Sequence, residues 1–348
     1  MSSIRTALLS YGMSGRVFHA PFINLHGGFE LVGAWERSKQ TITNEHPHTK
    51  SFPTLDSVLT DKSIELVVVN TPTYSHYEYA KQALLAGKNI VVEKAFTTTA
   101  AEAIELKEIA EKKNKKIAVF QNRRWDSDFK TVKHVLDQNL IGEIVEAEIH
   151  FDRYNPLLSP KKHKEVPGPG AGILKDLGPH LIDQALYLFG MPEALFADIR
   201  ITRENSQVDD WFDILLFYSE KRVRLKAGYF VREPLPSYIF HGTIGSFIKS
   251  RADVQETNLQ AGLKPDKINW GAEPEAAWGL LHSERNGQAI RKLIPSLPGN
   301  YYEFYDGVYK ALREGQNMPV TASDGINVMR TIDAALRSQT SKKEIFDV

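Results

Sequence analysis

Apolar runs and helical stretches alternate through the first third of this chain, and that alternation admits few folds. Residues 6–10 (TALLS), 29–35 (FELVGAW), 64–69 (IELVVV), 88–93 (KNIVVE) and 116–120 (KIAVF) are strand candidates, and residues 76–86 and 99–113 between the last three carry apolar side chains at helical spacing. Strands that are apolar on both faces need a cover on both faces, which helices between parallel strands supply. An α/β fold with a doubly wound parallel sheet is predicted over residues 1–123. Beyond that point the rhythm changes. Residues 143–151, 194–202, 212–218 and 222–231 follow one another as longer strands with few helices between them, which predicts an α+β domain with a large, mostly antiparallel open sheet over residues 124–348. Two domains also suit a length of 348 residues. Within the second part, residues 174–188 read as one helix, residues 323–339 as another with Ser323 as N-cap, and the Gly/Pro-rich residues 156–172 as a long functional loop.

Charge and composition exclude several classes. Lys plus Arg and Asp plus Glu are each 43, so no net field draws the chain to nucleic acid or to an anionic membrane. With no cysteine there are no disulfides and no thiolate metal sites. His46-Pro47-His48 lacks a ligating spacing, and no metal is expected. No apolar run approaches the roughly 20 residues of a membrane span, so the expected location is the cytoplasm.

The turn after the first strand carries the first chemical signal. Ser10-Tyr11-Gly12-Met13-Ser14-Gly15-Arg16-Val17 is a G-x-G-x-x-G variant with serine at the first position. Gly12 lets backbone approach a pyrophosphate, Gly15 allows close helix–strand packing, and the following helix start offers unpaired N–H donors. About 20 residues on, where an acid binds ribose hydroxyls and a cation accepts a 2′-phosphate, stand Glu36, Arg37, Ser38 and Lys39. Glu36 points to NAD, and Arg37, Ser38 and Lys39 to NADP. NADP is the first choice and NAD the alternative. Glu93-Lys94 closes the fourth predicted strand, at the carboxyl end where open parallel sheets place catalytic groups.

Five segments then occur in order: 11–21 (YGMSGRVFHAP), 68–76 (VVNTPTYSH), 86–94 (AGKNIVVEK), 121–126 (QNRRWD) and 172–184 (GILKDLGPHLIDQ). Together they resemble the glucose-fructose oxidoreductase / inositol dehydrogenase (Gfo/Idh/MocA) superfamily, in its scyllo-inositol dehydrogenase-like branch. The resemblance implies an N-terminal Rossmann domain and a C-terminal substrate-binding and oligomerisation domain. It implies a catalytic group of Lys94, Asp176 and His180, with Thr71, Pro72, Ser75, His76 and Glu93 at the cofactor and Gln121, Asn122, Arg123 and Trp125 near the nicotinamide. Arg153 and Tyr154, with Trp125, border the substrate on the same grounds, and Phe18 and His19 stand behind them. Asp176 and His180 at i,i+4 share a face if residues 174–188 form one helix, and a histidine suits the role of general base near neutrality. Two positions depart from the family pattern: Ser10 for the first glycine, and Ala95 for the proline after Lys94.

The implied activity is hydride transfer between NADP(H) or NAD(H) and a secondary alcohol or ketone of a cyclitol or sugar, in a homodimer or homotetramer. An aldose or deoxy-sugar dehydrogenase, and a non-catalytic dinucleotide-binding regulator of the same fold, remain as alternatives.

Overall fold

A computed structural model describes residues 2–36, 39–160, 165–266, 270–346 and 348. Arg37 and Ser38 lie outside the described residues. The chain forms two compact units: one of Met1–Asn122, Gln255–Trp270 and Asn300–Ile326, the other of Arg123–Val254, Gly271–Gly299 and Asn327–Val348. The expected second segment, 124–348, is therefore not one piece, because residues 255–270 and 300–326 return to the first unit.

The first unit is built on six parallel strands, β1 (Ile4–Leu8), β2 (Phe29–Trp35), β3 (Lys50–Phe52), β4 (Leu66–Val69), β5 (Asn89–Glu93) and β6 (Ile117–Phe120), in the order β3-β2-β1-β4-β5-β6. Ala7, Leu8, Val67, Val68, Ile90, Val91, Ala118 and Val119 are wholly buried, as strands covered on both faces require. β3 went unpredicted because three residues carry no periodicity, which makes Glu93 the end of the fifth strand instead of the fourth. The helix Ala100–Lys112 starts where Thr99 accepts from the Glu102 N–H (3.3 Å) and stops before Asn114, at φ 52°. β1 and β4 are neighbours from which the chain winds in opposite directions. Their carboxyl ends form the topological switch point, the place where such sheets bind ligands.

The second unit carries nine strands: β7 (Ile144–Asp152), β8 (Ala194–Arg200), β9 (Trp211–Phe217), β10 (Arg222–Gly228), β11 (Tyr238–Gly242), β12 (Gly245–Lys249), β13 (Gly279–Arg285), β14 (Gln288–Ile294) and β15 (Ile345–Phe346), ordered β14-β13-β12-β11-β7-β10-β9-β8-β15. Every pairing is antiparallel except β7 with β10. Helices Ser127–Asp137 and Gly178–Phe189 pack on this sheet, and β9 alternates buried and half-buried residues accordingly. Four strands between 238 and 294 went unpredicted. β14 is almost wholly exposed, so its alternation carries no apolar signal; its hairpin is set by Asn286-Gly287, both at positive φ.

Two helix expectations are corrected. Residues 174–188 do not form one helix: Ile173–Asp176 ends, Leu177 intervenes, and Gly178–Phe189 begins. Pro179 has no N–H to continue the ladder and its ring clashes with the carbonyl four residues back, so the chain restarts with the His180 N–H donating to Leu177 O (3.1 Å). Asp176 and His180 thus stand on two successive helices separated by Leu177, and the single-helix i,i+4 argument does not apply to them. The last helix spans Ala322–Ser341, and its N-terminus is closed by Thr321, not Ser323. Thr321 Oγ1 accepts from the Asp324 N–H (3.1 Å) while Asp324 Oδ2 accepts from the Thr321 N–H (2.7 Å), a reciprocal cap.

Candidate functional site

The glycine loop is held by a residue that sequence reasoning passed over. Asn70, at the end of β4 and 5% exposed, accepts from the Ser10 N–H (3.0 Å) and donates to Ser10 O (2.8 Å). Ser10 needs no glycine here, since its hydroxyl accepts from the Gly12 N–H (3.2 Å) and tightens the turn. The two glycines differ in kind. A Cβ on Gly15 would stand 2.4 Å from Ser10 O and 3.1 Å from Asn70 Nδ2, whereas one on Gly12 would meet nothing nearer than Ser10 Oγ at 3.4 Å. Gly15 serves packing, and Gly12 keeps open the space above the loop. Asn70→Ala leaves both Ser10 backbone groups without their partner and is expected to cost about 1–3 kcal/mol, read as a lowered urea midpoint. An unchanged midpoint would show the clamp to be dispensable.

That space is a cleft of about 1240 Å³ in the first unit. Tyr11, Gly12, Met13, Arg16, Val17, Glu36, Thr71, Pro72 and Ser75 line it, which brings nine of the predicted cofactor residues together. Lys39 and Trp35 line it as well, as do Leu259, Gln260, Gly262, Leu263, Lys264 and Pro265 from a segment that is remote in sequence. Nothing at sequence level singled out these last six, because helix 255–260 has no motif of its own. Glu36 lies at the end of β2, its two carboxylate oxygens accepting from the N–H groups of Thr41 (3.0 Å) and Ile42 (3.2 Å) at a helix start. Arg16 is tied to Glu45 (2.5 Å), which also accepts from the Tyr11 hydroxyl (2.8 Å). Burial, then the Glu45 contact, push the Tyr11 phenol up.

Ser14, Glu93 and His76 are not among the residues that line the cleft. Helix 13–25 carries a π-turn at Gly15–His19, just ahead of Pro21, and this turn directs His19 into the interior with no exposure. His19 Nδ1 meets the Tyr305 hydroxyl (2.7 Å) and Nε2 meets Glu93 Oε1 (3.0 Å), which also accepts from Ser14 Oγ (2.5 Å). Glu93 Oε2 accepts from the Lys94 N–H (3.2 Å). Burial would raise the Glu93 carboxyl, yet the His19 and Ser14 hydrogen bonds and the Lys94 charge outweigh it and hold it below the usual range. Since burial keeps the Tyr305 phenol protonated, one consistent order has Tyr305 donating to His19 and His19 donating to an anionic Glu93. The glycine loop is thereby tied to the strand end that bears Lys94, which is half-buried. The Lys94–Ala95 peptide is cis. His76 is 1% exposed between the carbonyls of Ala95 (2.8 Å) and Thr71 (2.7 Å), and burial pushes its imidazole down. Gln121 and Asn122, both buried, follow β6 in the same unit.

Arg123, Trp125, Arg153, Tyr154, Asp176 and His180 belong to the second unit, and Phe18 to the first. Arg123 pairs with Asp126 (3.1 Å) and its carbonyl accepts from Gln184 (3.2 Å), and Trp125 ends the same short turn. Asp176 is half-buried at a helix end, and His180, 4% exposed, stands on the first turn of the next helix. Arg153 lies over the Phe151 ring (4.7 Å), while Tyr154, 46% exposed, bridges Phe230 and carries Arg232 on its ring (4.0 Å). The long loop is anchored where Arg203 bonds Leu157 O (3.1 Å), Glu165 (2.8 Å) and Asp210 (3.0 Å). Sequence spacing gives no sign of that anchor.

Among the described residues no helix is long and apolar enough to cross a membrane. Residues 4–121 match the family model described as oxidoreductase family, NAD-binding Rossmann fold, and residues 133–346 match its C-terminal alpha/beta domain. The chain is 36% identical to scyllo-inositol 2-dehydrogenase (NADP(+)) IolW of Bacillus subtilis, over 99% of this chain and 96% of that protein. It is 35% identical to the uncharacterized oxidoreductase YdgJ of Escherichia coli, over 97% and 96% of the two chains. The crystal structure of an oxidoreductase from Bacillus cereus superposes with a TM-score of 0.92 at 30% identity, covering 99% of this chain and 98% of that one.

Proposed function

This chain belongs to the Gfo/Idh/MocA oxidoreductase family, and from that premise we propose that it interconverts a secondary alcohol and a ketone on a cyclitol or sugar, with NADP(H) preferred over NAD(H). It is an NAD(P)-dependent dehydrogenase. The observation that carries the cofactor half is the Asn70-clamped glycine loop at the β1/β4 switch point, opening through Gly12 into a cleft with room for a dinucleotide. The nicotinamide, when bound, supplies the hydride acceptor or donor. The chain's own residues do the rest. In oxidation His180 takes the alcohol proton, while Asp176 orients the reacting hydroxyl and Lys94 polarises its oxygen. Trp125, Arg153 and Tyr154 border the substrate, Arg123 lies near the nicotinamide, and the second unit self-associates through the open face of its sheet. Retention of Lys94, Asp176 and His180 favours turnover over a regulatory role.

The test of the whole reading is a panel of inositols and aldoses assayed at the nicotinamide absorbance with both cofactors. Turnover of an inositol supports it. Turnover confined to an aldose moves the assignment to a sugar dehydrogenase, and turnover of none moves it to a regulator.

Cofactor preference makes a separate prediction. Lys39 lines the cleft, the Glu36 carboxylate is already engaged by two backbone N–H groups, and the relative from Bacillus subtilis is named for NADP. NADPH is expected to bind about tenfold or more tightly than NADH, one charge-assisted contact being worth that much. Fluorescence titration measures both, and equal or inverted affinities would refute the preference.

A further inference from the structure

The segment 255–270 enters the first unit from far along the chain. Its helix, Gln255–Gln260, packs against the Gly15–His19 turn, and its first residue is wholly buried, with Gln255 Oε1 accepting from the Tyr301 N–H (2.8 Å). The helix closes with two ordered hydrogen bonds. The Gly262 N–H donates to Leu259 O (3.0 Å) and the Leu263 N–H to Asn258 O (3.0 Å), with Gly262 at φ +82°. These are the two bonds of a Schellman closure, whose left-handed residue is a glycine because a Cβ there is strained. The exit of the chain is therefore determined, and it delivers Leu263, Lys264 and Pro265 to the cofactor cleft.

Charge in that cleft is unbalanced. Of its cationic side chains among the described residues, Arg16 is paired with Glu45 (2.5 Å), whereas Lys39 and Lys264 have no ion-pair partner there. Lys264 lies near His46: burial, and beyond it the Lys264 charge set against the pull of Glu45, hold the His46 imidazole below its usual range. His46 in turn stands edge-on to Tyr11, ring centroids 6.0 Å apart. Lys264 thus belongs to the β2 side of the cleft, where Lys39 follows the strand and where a dinucleotide fold places the adenosine ribose. Two lysines without carboxylate partners at that end suit a phosphate dianion.

We propose that Lys264, with Lys39, forms the subsite for the 2′-phosphate of NADP(H), so that a C-terminal segment held by a helix closure sets the cofactor preference of the N-terminal fold. This rests on the NADP-preferring function proposed above. The experiment titrates NADPH, NADH, adenosine 2′,5′-bisphosphate and AMP calorimetrically into the full-length wild type and into Lys264→Met, Lys264→Arg and Lys39→Met, with thermal melts to confirm folding. Lys264 is exposed, so its variants fold. Lys264→Met is expected to weaken NADPH and the bisphosphate by about ten- to hundredfold and to leave NADH and AMP unchanged. Lys264→Arg restores most of the loss, and Lys39→Met repeats it. Equal weakening of NADPH and NADH would place Lys264 at the pyrophosphate and overturn the proposal, as would an unchanged NADPH affinity. Wild type that binds the bisphosphate no better than AMP defeats the NADP preference itself. A wild-type preference that survives Lys264→Met defeats only the role of Lys264.

Discussion

His180→Ala lowers kcat by a factor on the order of 10²–10⁴, the range for loss of a general base, while the Kd for NADPH changes little. The alcohol proton has to be accepted as hydride leaves, so in the oxidation direction kcat/KM rises with pH through the ionisation of that base in the free enzyme. In His180→Ala the rise disappears or moves. Lys94→Ala loses activity comparably because it removes the polarising charge. If both residues serve one oxygen, the double variant loses less than the product of the single losses. Independent, multiplicative losses would separate their roles. Near-normal turnover with an unchanged pH profile would make the buried His180 a packing residue and bring Tyr154, exposed on the same unit, forward as the candidate base.

Gly15→Val abolishes measurable NADPH binding and also destabilises the fold. The added Cβ would lie 2.4 Å from Ser10 O, a backbone atom that cannot move without giving up its bond from Asn70. Overpacking of this kind costs about 1–3 kcal/mol, and a displaced loop no longer aims its N–H groups at the pyrophosphate. Gly12→Ala makes the contrasting case. Its Cβ meets no protein atom closer than 3.4 Å, so the melting temperature holds while NADPH affinity falls, because the methyl group occupies space reserved for ligand. Paired melts and titrations measure both effects. Retained affinity in both variants would remove the dinucleotide from this cleft.

Much of the fold could be read locally. The runs 64–69, 88–93 and 116–120 have the continuous apolar centres LVVV, IVV and IAVF, which only a two-sided cover tolerates, and the strands found there, β4, β5 and β6, are parallel with those centres buried. β14 was not readable in this way, because it leaves both faces wet and depends on cross-strand pairing for its order. Pro179 was a visible sign of a helix break between Asp176 and His180. The i,i+4 spacing of the pair overrode it.

Sequence alone determined what depends on neighbours along the chain: the parallel α/β unit, the glycine turn after β1, the switch from helix-linked to consecutive strands, and the motif order that marks the family. Tertiary structure decided whatever requires residues far apart in the chain to meet. Asn70 clamps Ser10 from 60 positions away, Tyr305 completes the buried His19–Glu93 chain, and a helix beginning at residue 255 lays Lys264 along a cleft built from the first eighty residues. None of these partners carries a local signal, because a hydrogen bond or a cleft wall depends on position in space, and a linear pattern records only periodicity and turn chemistry.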